Sequence, residues 1–227
     1  MSSNAVDGED LRARLRRQDW IDEPFTGFTG FEAFAAGSPV WPDERWARIE
    51  DRGSFTDGRR DVRLFTFVRD EGTPAAVPVG FVFDLTNEDN RVRVYYNKEH
   101  FGSREPRRPL VAPESAPLPP ALEAYLHAIR SGDRSLLSAV VDPSALFHSP
   151  RGTISGAAFI DAFSDTTPSV TAGVPLEICT VTADETGASF AVEFISWRRP
   201  PHGGLSVYTF DDGRLGAMDI FEGPVRR

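Results

Sequence analysis

The stretch "SREPRRPLVAPESAPLPP", residues 103–120, constrains this chain more than any other. It holds six of the eighteen prolines. Proline at this density fixes φ, removes backbone donors and leaves an extended segment without a packed core. The 227 residues therefore divide into two halves, each long enough for one small domain. The expected boundaries are 1–102 for the first domain, 103–117 for the linker and 118–227 for the second domain.

The second half is the more legible. In "PPALEAYLHAIRSGD", Leu122, Tyr125, Leu126 and Ile129 recur at helical spacing and Gly132 closes the segment. "RSLLSAVVD" reads as a short helix stopped by Pro143, "ALFHSPRG" as a short strand, and "SGAAFIDAFSD" as a helix capped by Ser155. Four strand-like runs follow, "PLEICTVTA", "ASFAVEFISWRR", "GGLSVYTF" and "RLGAMDIF", separated by turn sequences. The first half repeats the tail of this order. "WIDEPFTGFTGFEAFA" matches "LFHSPRGTISGAAFID", with Pro24 on Pro150 and Gly30 on Gly156 at one constant offset. Four strand-like runs again follow, but nothing corresponds to the long helix near 119–131. The expected class is α+β: two cone-shaped domains in tandem, each a curved antiparallel sheet packed on helices, the first without its opening helix.

A net charge of −9 disfavours a nucleic-acid backbone as partner, because phosphate binding needs concentrated positive charge. The basic runs "RARLRR" and "REPRRP" read as a solvated helix face and a solvated linker. No run approaches the roughly 20 apolar residues of a membrane span, and the N-terminus lacks a signal-peptide core, so a cytoplasmic protein is expected. The single cysteine, Cys179, excludes an internal disulfide and a Cys-rich zinc site. The histidines at 100, 127, 148 and 202 have no metal-site spacing, and no glycine fingerprint for a nucleotide is present. Neither metal nor cofactor is expected.

Several local patterns carry a family likeness: the "SGD" helix end, the strand before a proline, the "SGAAFI" helix start and the hairpin "YTFDDGRLGAMDIFEG". In these the second half resembles the nuclear-transport-factor-2-like superfamily, and within it the SnoaL-like and ketosteroid-isomerase-like branch. The likeness covers 118–223, and the first half resembles the same fold more faintly. It implies a sheet wrapped around a helix to form an apolar pocket, and an isomerase, polyketide cyclase, dehydratase or epoxide-opening enzyme of biosynthesis working without a cofactor. It also implies a small hydrophobic metabolite as partner, and either a homodimer or a pseudo-dimer within the chain. The alternative is a non-catalytic ligand-binding or protein-interaction module, since the fold hosts both.

Candidate site residues follow. Tyr125 is either an oxyanion donor, as the resemblance implies, or an amphipathic core tyrosine. His148 is a candidate base or a turn histidine; Ser149 stands where ketosteroid isomerases carry an aspartate. Asp22 and Glu23 of "IDEP" occupy that place in the first half. Glu193 and Asp219 each sit among apolar neighbours on a strand, and a carboxylate buried there is a functional candidate. Ala191 replaces an arginine that bridges such carboxylates in limonene-epoxide-hydrolase-like proteins, leaving Arg198 or Arg214 as substitutes. Asp84 is a weaker candidate of the same kind. Trp197, Tyr208, Phe159, Phe163 and Phe221 are candidates for a substrate-binding wall, or else core. Alternation alone leaves open which sheet face is concave.

Overall fold

The computed structural model describes residues 5–6, 8–70, 76–86, 90–112, 117–149, 152–165, 176–197 and 200–225, without the side chains of 5, 6 and 163–165. The chain divides into two compact units at Leu110 and Val111. Among the described residues no helix is long and apolar enough to cross a membrane.

The second unit begins with α3 (Pro120–Ser131). Proline at its first position costs no intrahelical bond, and Gly132 ends it at φ 68°, where a side chain would be strained. Leu122, Tyr125 and Leu126 are buried on one face, as their spacing predicts. Asp133 caps α4 (Arg134–Val140), accepting from the amides of Ser135 and Leu136 at 2.7 and 3.3 Å. Pro143 does not stop this helix: it already lies in β8 (Val141–Ser149), a longer strand than expected. The hairpin continues through β9 (Gly152–Ser155) into α5 (Gly156–Asp165), where Ser155 Oγ accepts from the Ala158 amide at 3.1 Å. Then come β10 (Leu176–Ala183), β11 (Ser189–Ser196), β12 (His202–Asp211) and β13 (Arg214–Pro224). The sheet order is β10-β11-β12-β13-β8-β9.

The four-strand meander is antiparallel, as the turns predict. The sheet as a whole is mixed, because β8 joins β13 in parallel. The chain leaves β8 through β9 and α5 and returns at the far edge, a crossover that a parallel neighbour requires.

The first unit runs β1 (Ala5–Val6), α1 (Gly8–Leu15), β2 (Trp20–Glu23), β3 (Gly27–Thr29), α2 (Phe31–Gly37), β4 (Arg48–Thr56), β5 (Arg60–Val68), β6 (Ala76–Asp84) and β7 (Arg91–Tyr95). A short 3-10 turn, Lys98–Phe101, follows. Its sheet order, β1-β4-β5-β6-β7-β2-β3, repeats that of the second unit with one edge strand added. The parallel pair recurs in register: Asp22 opposes Arg93, and 126 positions later His148 opposes Asp219. Gly30 and Gly156 keep this offset; Pro150 lies outside the described residues. No counterpart of α3 exists among the described residues of the first unit. The segment expected as a solvated linker is partly anchored: Arg107 and Leu110 are buried, and Arg108 bonds to Asp22 at 2.8 Å.

Candidate functional site

The face of the second sheet that packs on α3 carries Phe190, Val192 and Phe194 of β11, Tyr208 of β12 and Met218 of β13, clustered with Leu122, Tyr125 and Leu126. Strand alternation then fixes the rest. Ser196, Ser206, Ile220 and Glu222 lie on this inner face, while Glu193, Ile195, Asp219 and Phe221 lie on the other. A cavity of about 300 Å³ opens on the inner face. Its wall is mostly apolar, from Ile129, Phe159, Ile178, Phe194, Met218 and Ile220 among others. Its polar groups are the hydroxyls of Tyr125, Tyr208, Ser196 and Ser206 and one carboxylate, Glu222.

The phenols are tuned by burial. Burial, with Tyr208 beside it, pushes Tyr125 well above the usual tyrosine range. Burial likewise raises Tyr208 to about 12, offset by a hydrogen bond with Ser206 and reinforced by the Glu222 charge. Both therefore stay protonated at neutral pH and act as hydrogen-bond donors. Tyr125 Oη donates to Met218 Sδ at 3.8 Å. A thioether is a weak acceptor, so a ligand oxygen can take its place.

The raised values have a consequence in alkali. The unfolded chain loses these phenolic protons near pH 10 and the folded chain does not, so native stability falls as pH rises from about 10 towards 12. Tyr96 behaves alike, raised by burial and by Glu23. At pH 11 the phenolate absorbance near 295 nm should stay well below that of the unfolded chain and jump on addition of denaturant.

Of the residues singled out from sequence, Tyr125, Tyr208 and Phe159 line this cavity, and Phe159 stacks on Phe147 at 4.6 Å. The side chain of Phe163 lies outside the described residues. Glu193 and Asp219 do not share an interior with Tyr125. Glu193 is 1% exposed on the opposite face and accepts from Thr180 Oγ1 at 2.5 Å. Asp219 and His148 stand side by side on that same face, with His148 Nδ1 2.8 Å from Thr153 Oγ1. Phe221 is there too, and Trp197 packs with Cys179, Ile195 and Val225. Arg214 Nη2 binds the Val141 carbonyl at 2.8 Å, and Arg198 lies outside the described residues. Asp84 caps its own strand end, accepting from Thr86 at 3.1 Å.

Glu222 escaped sequence reading. The signal was present: it continues the alternation of Met218 and Ile220. Once Asp219 points away from α3, Glu222 must point towards it.

The first unit arranges the same place differently. Glu23 and Tyr96 occupy the positions 126 residues before Ser149 and Glu222, so carboxylate and hydroxyl have exchanged strands. Glu23 is 1% exposed and accepts from the Tyr96 hydroxyl and the amides of Phe25 and Thr26, the Phe25 bond at 3.0 Å. Phe25, Tyr96 and Phe101 pack on one another at ring-centroid distances of 5.7–6.3 Å. On the other face Asp22, fully buried, binds Arg91 at 2.7 Å and Arg108 at 2.8 Å. Among the described residues no group of three or more His, Cys, Asp or Glu could hold a metal ion.

One sheet order, one parallel pair in one register and one hairpin-to-helix step recur in both units. The two units share one fold, a mixed sheet packed on helices. Among solved structures, a steroid delta-isomerase from Pseudomonas aeruginosa is similar at 24% identity, covering 48% of this chain and 85% of that one, with TM-score 0.39. An M. tuberculosis LEH-like epoxide hydrolase is similar at 20% identity, covering 44% and 74%, with TM-score 0.37. An NTF-2 like protein from Burkholderia xenovorans is similar at 16%, covering 47% and 83%, with TM-score 0.39. Each covers less than half of this chain. No family model matches the sequence, and a comparison with curated proteins gives no match.

Proposed function

We propose that the second nuclear-transport-factor-2-like unit is a cofactor-independent acid/base enzyme for a small apolar, cyclic metabolite. The first unit is then a scaffold. One observation carries the reading: an apolar cavity that gathers a carboxylate, Glu222, and two phenols held protonated by burial. Glu222 takes a proton from carbon beside a substrate carbonyl. Tyr125 or Tyr208 donates to the oxygen on which negative charge develops, and the proton returns at a second carbon. Hydroxyls held in place in an apolar site stabilise an enolate better than water does. In the first unit Glu23 has three donors on it, and its partner Tyr96 packs with aromatic rings, which favours a structural role there.

The test is α-proton exchange of 2-tetralone in deuterated buffer, followed by NMR. The wild type should accelerate exchange, and Glu222→Gln should lose on the order of 100-fold. Tyr125→Phe together with Tyr208→Phe should lose a further part. Binding of the ketone without exchange, or exchange unchanged in Glu222→Gln, would leave a ligand-binding module and overturn the catalytic reading.

A further inference from the structure

A second cleft, of about 430 Å³, lies in the first unit between α1 and strands β4 and β5. Its chemistry is unlike that of the Tyr125 cavity. Leu11 and Phe65 form an apolar floor, and Arg14, Arg17 and Arg63 line it. Asp61, Arg63 and Phe65 alternate onto one face of β5, which sets the positive charge beside the floor. Arg14 comes from α1 and lies over the Phe83 ring, 4.0 Å from its centroid.

The charges here do not cancel pairwise. Asp61, with only 9% of its side chain exposed, serves two guanidinium groups at once: it pairs with Arg14 and accepts from Arg63 Nε at 3.1 Å. Arg17, on the turn after α1, is exposed and makes no ion pair among the described residues. Burial, foremost, and the charges of Arg63 and Arg17 hold Arg14 below the usual arginine range, while Asp61 opposes them. Two carboxylates line the cleft itself. Asp51 accepts from the Gly53 amide at 2.7 Å, and Asp10 is exposed on α1. Three guanidinium groups thus share the cleft with a buried carboxylate, Asp61, beneath them and with Asp10 and Asp51 in its wall. An anion seated against Arg17 would gain charge-assisted hydrogen bonds.

We propose that this cleft binds a small molecule through a carboxylate or phosphate group, held by Arg17 with Arg14 and Arg63 and rested on Phe65 and Leu11. The site uses no residue of the Tyr125 cavity and does not depend on the catalytic reading. It is tested on the full chain by calorimetry and thermal unfolding with citrate and with inorganic phosphate, at ionic strength held constant with chloride. At least one probe should bind saturably and raise the unfolding midpoint. Arg17→Gln, an exposed position whose loss leaves the Arg14–Asp61–Arg63 cluster intact, should weaken that binding by about tenfold or more. Glu222→Gln should not change it. Saturation by citrate alone identifies a carboxylate ligand and by phosphate alone a phosphate ligand. Saturation by neither probe, or equal binding by Arg17→Gln, overturns the proposal.

Discussion

Glu23→Ala is expected to cost roughly 3–5 kcal/mol of stability, measured by denaturant unfolding. The carboxylate is almost fully buried, and three donors converge on it. Removing it takes that acceptor from the buried Tyr96 hydroxyl and from the part-buried amides of Phe25 and Thr26. Each such orphan costs about 1–3 kcal/mol. Both amides belong to the turn that reverses the chain from β2 into β3, so the hairpin loosens with them. Tyr96→Phe removes only one donor and should cost about 1–2 kcal/mol. Asp22→Ala should also be milder than Glu23→Ala, because its partners Arg91 and Arg108 are part-exposed and can turn to solvent. A cost of Glu23→Ala below that of Tyr96→Phe would refute the structural role given to Glu23.

Gly156→Ala should cost about 3 kcal/mol, while Gly30→Ala should cost less than about 1 kcal/mol. The two glycines open α5 and precede α2 at matching places in the repeat. A Cβ on Gly156 would lie 2.0 Å from the Asp142 carbonyl oxygen and 3.1 Å from Ala145 Cβ. Backbone is in the way there, so α5 must move off β8. That motion carries Phe159 from its stack on Phe147 and opens the cavity wall. At Gly30 the nearest atom is the Asp19 oxygen at 4.0 Å and φ is −78°, which any residue adopts. Thermal unfolding of both variants separates the cases; equal costs would mean that the close approach of α5 to β8 is wrong.

Much of this architecture was legible in the residues. The apolar face of α3, the Ser155 cap, the four-strand meander and the repeat of order between halves all follow from local rules of spacing, capping and turn chemistry. The parallel joining of β8 to β13 did not, because strand direction depends on where the returning chain docks. The anchoring of Arg107 and Arg108 was hidden for a similar reason. "REPRRP" reads as solvated charge until a buried Asp22 is known to face it.

The site divides the same way. Composition and alternation put one acidic residue on each parity of the last strand, Asp219 on one and Glu222 on the other. They could not say which parity looks inward. Normally a sheet face declares itself by being apolar against a polar opposite. Here both faces are apolar: Phe194, Tyr208 and Met218 on one, Ile195, Leu205 and Phe221 on the other, and all are buried. A period of two has no handle on such a strand. Only the docking of α3, with Tyr125 against Met218 and Tyr208, decides it. The sequence by itself determined that a carboxylate would stand among aromatic rings near the end of this chain. The tertiary structure decided that it is Glu222 that faces the cavity, while Asp219 faces away beside His148.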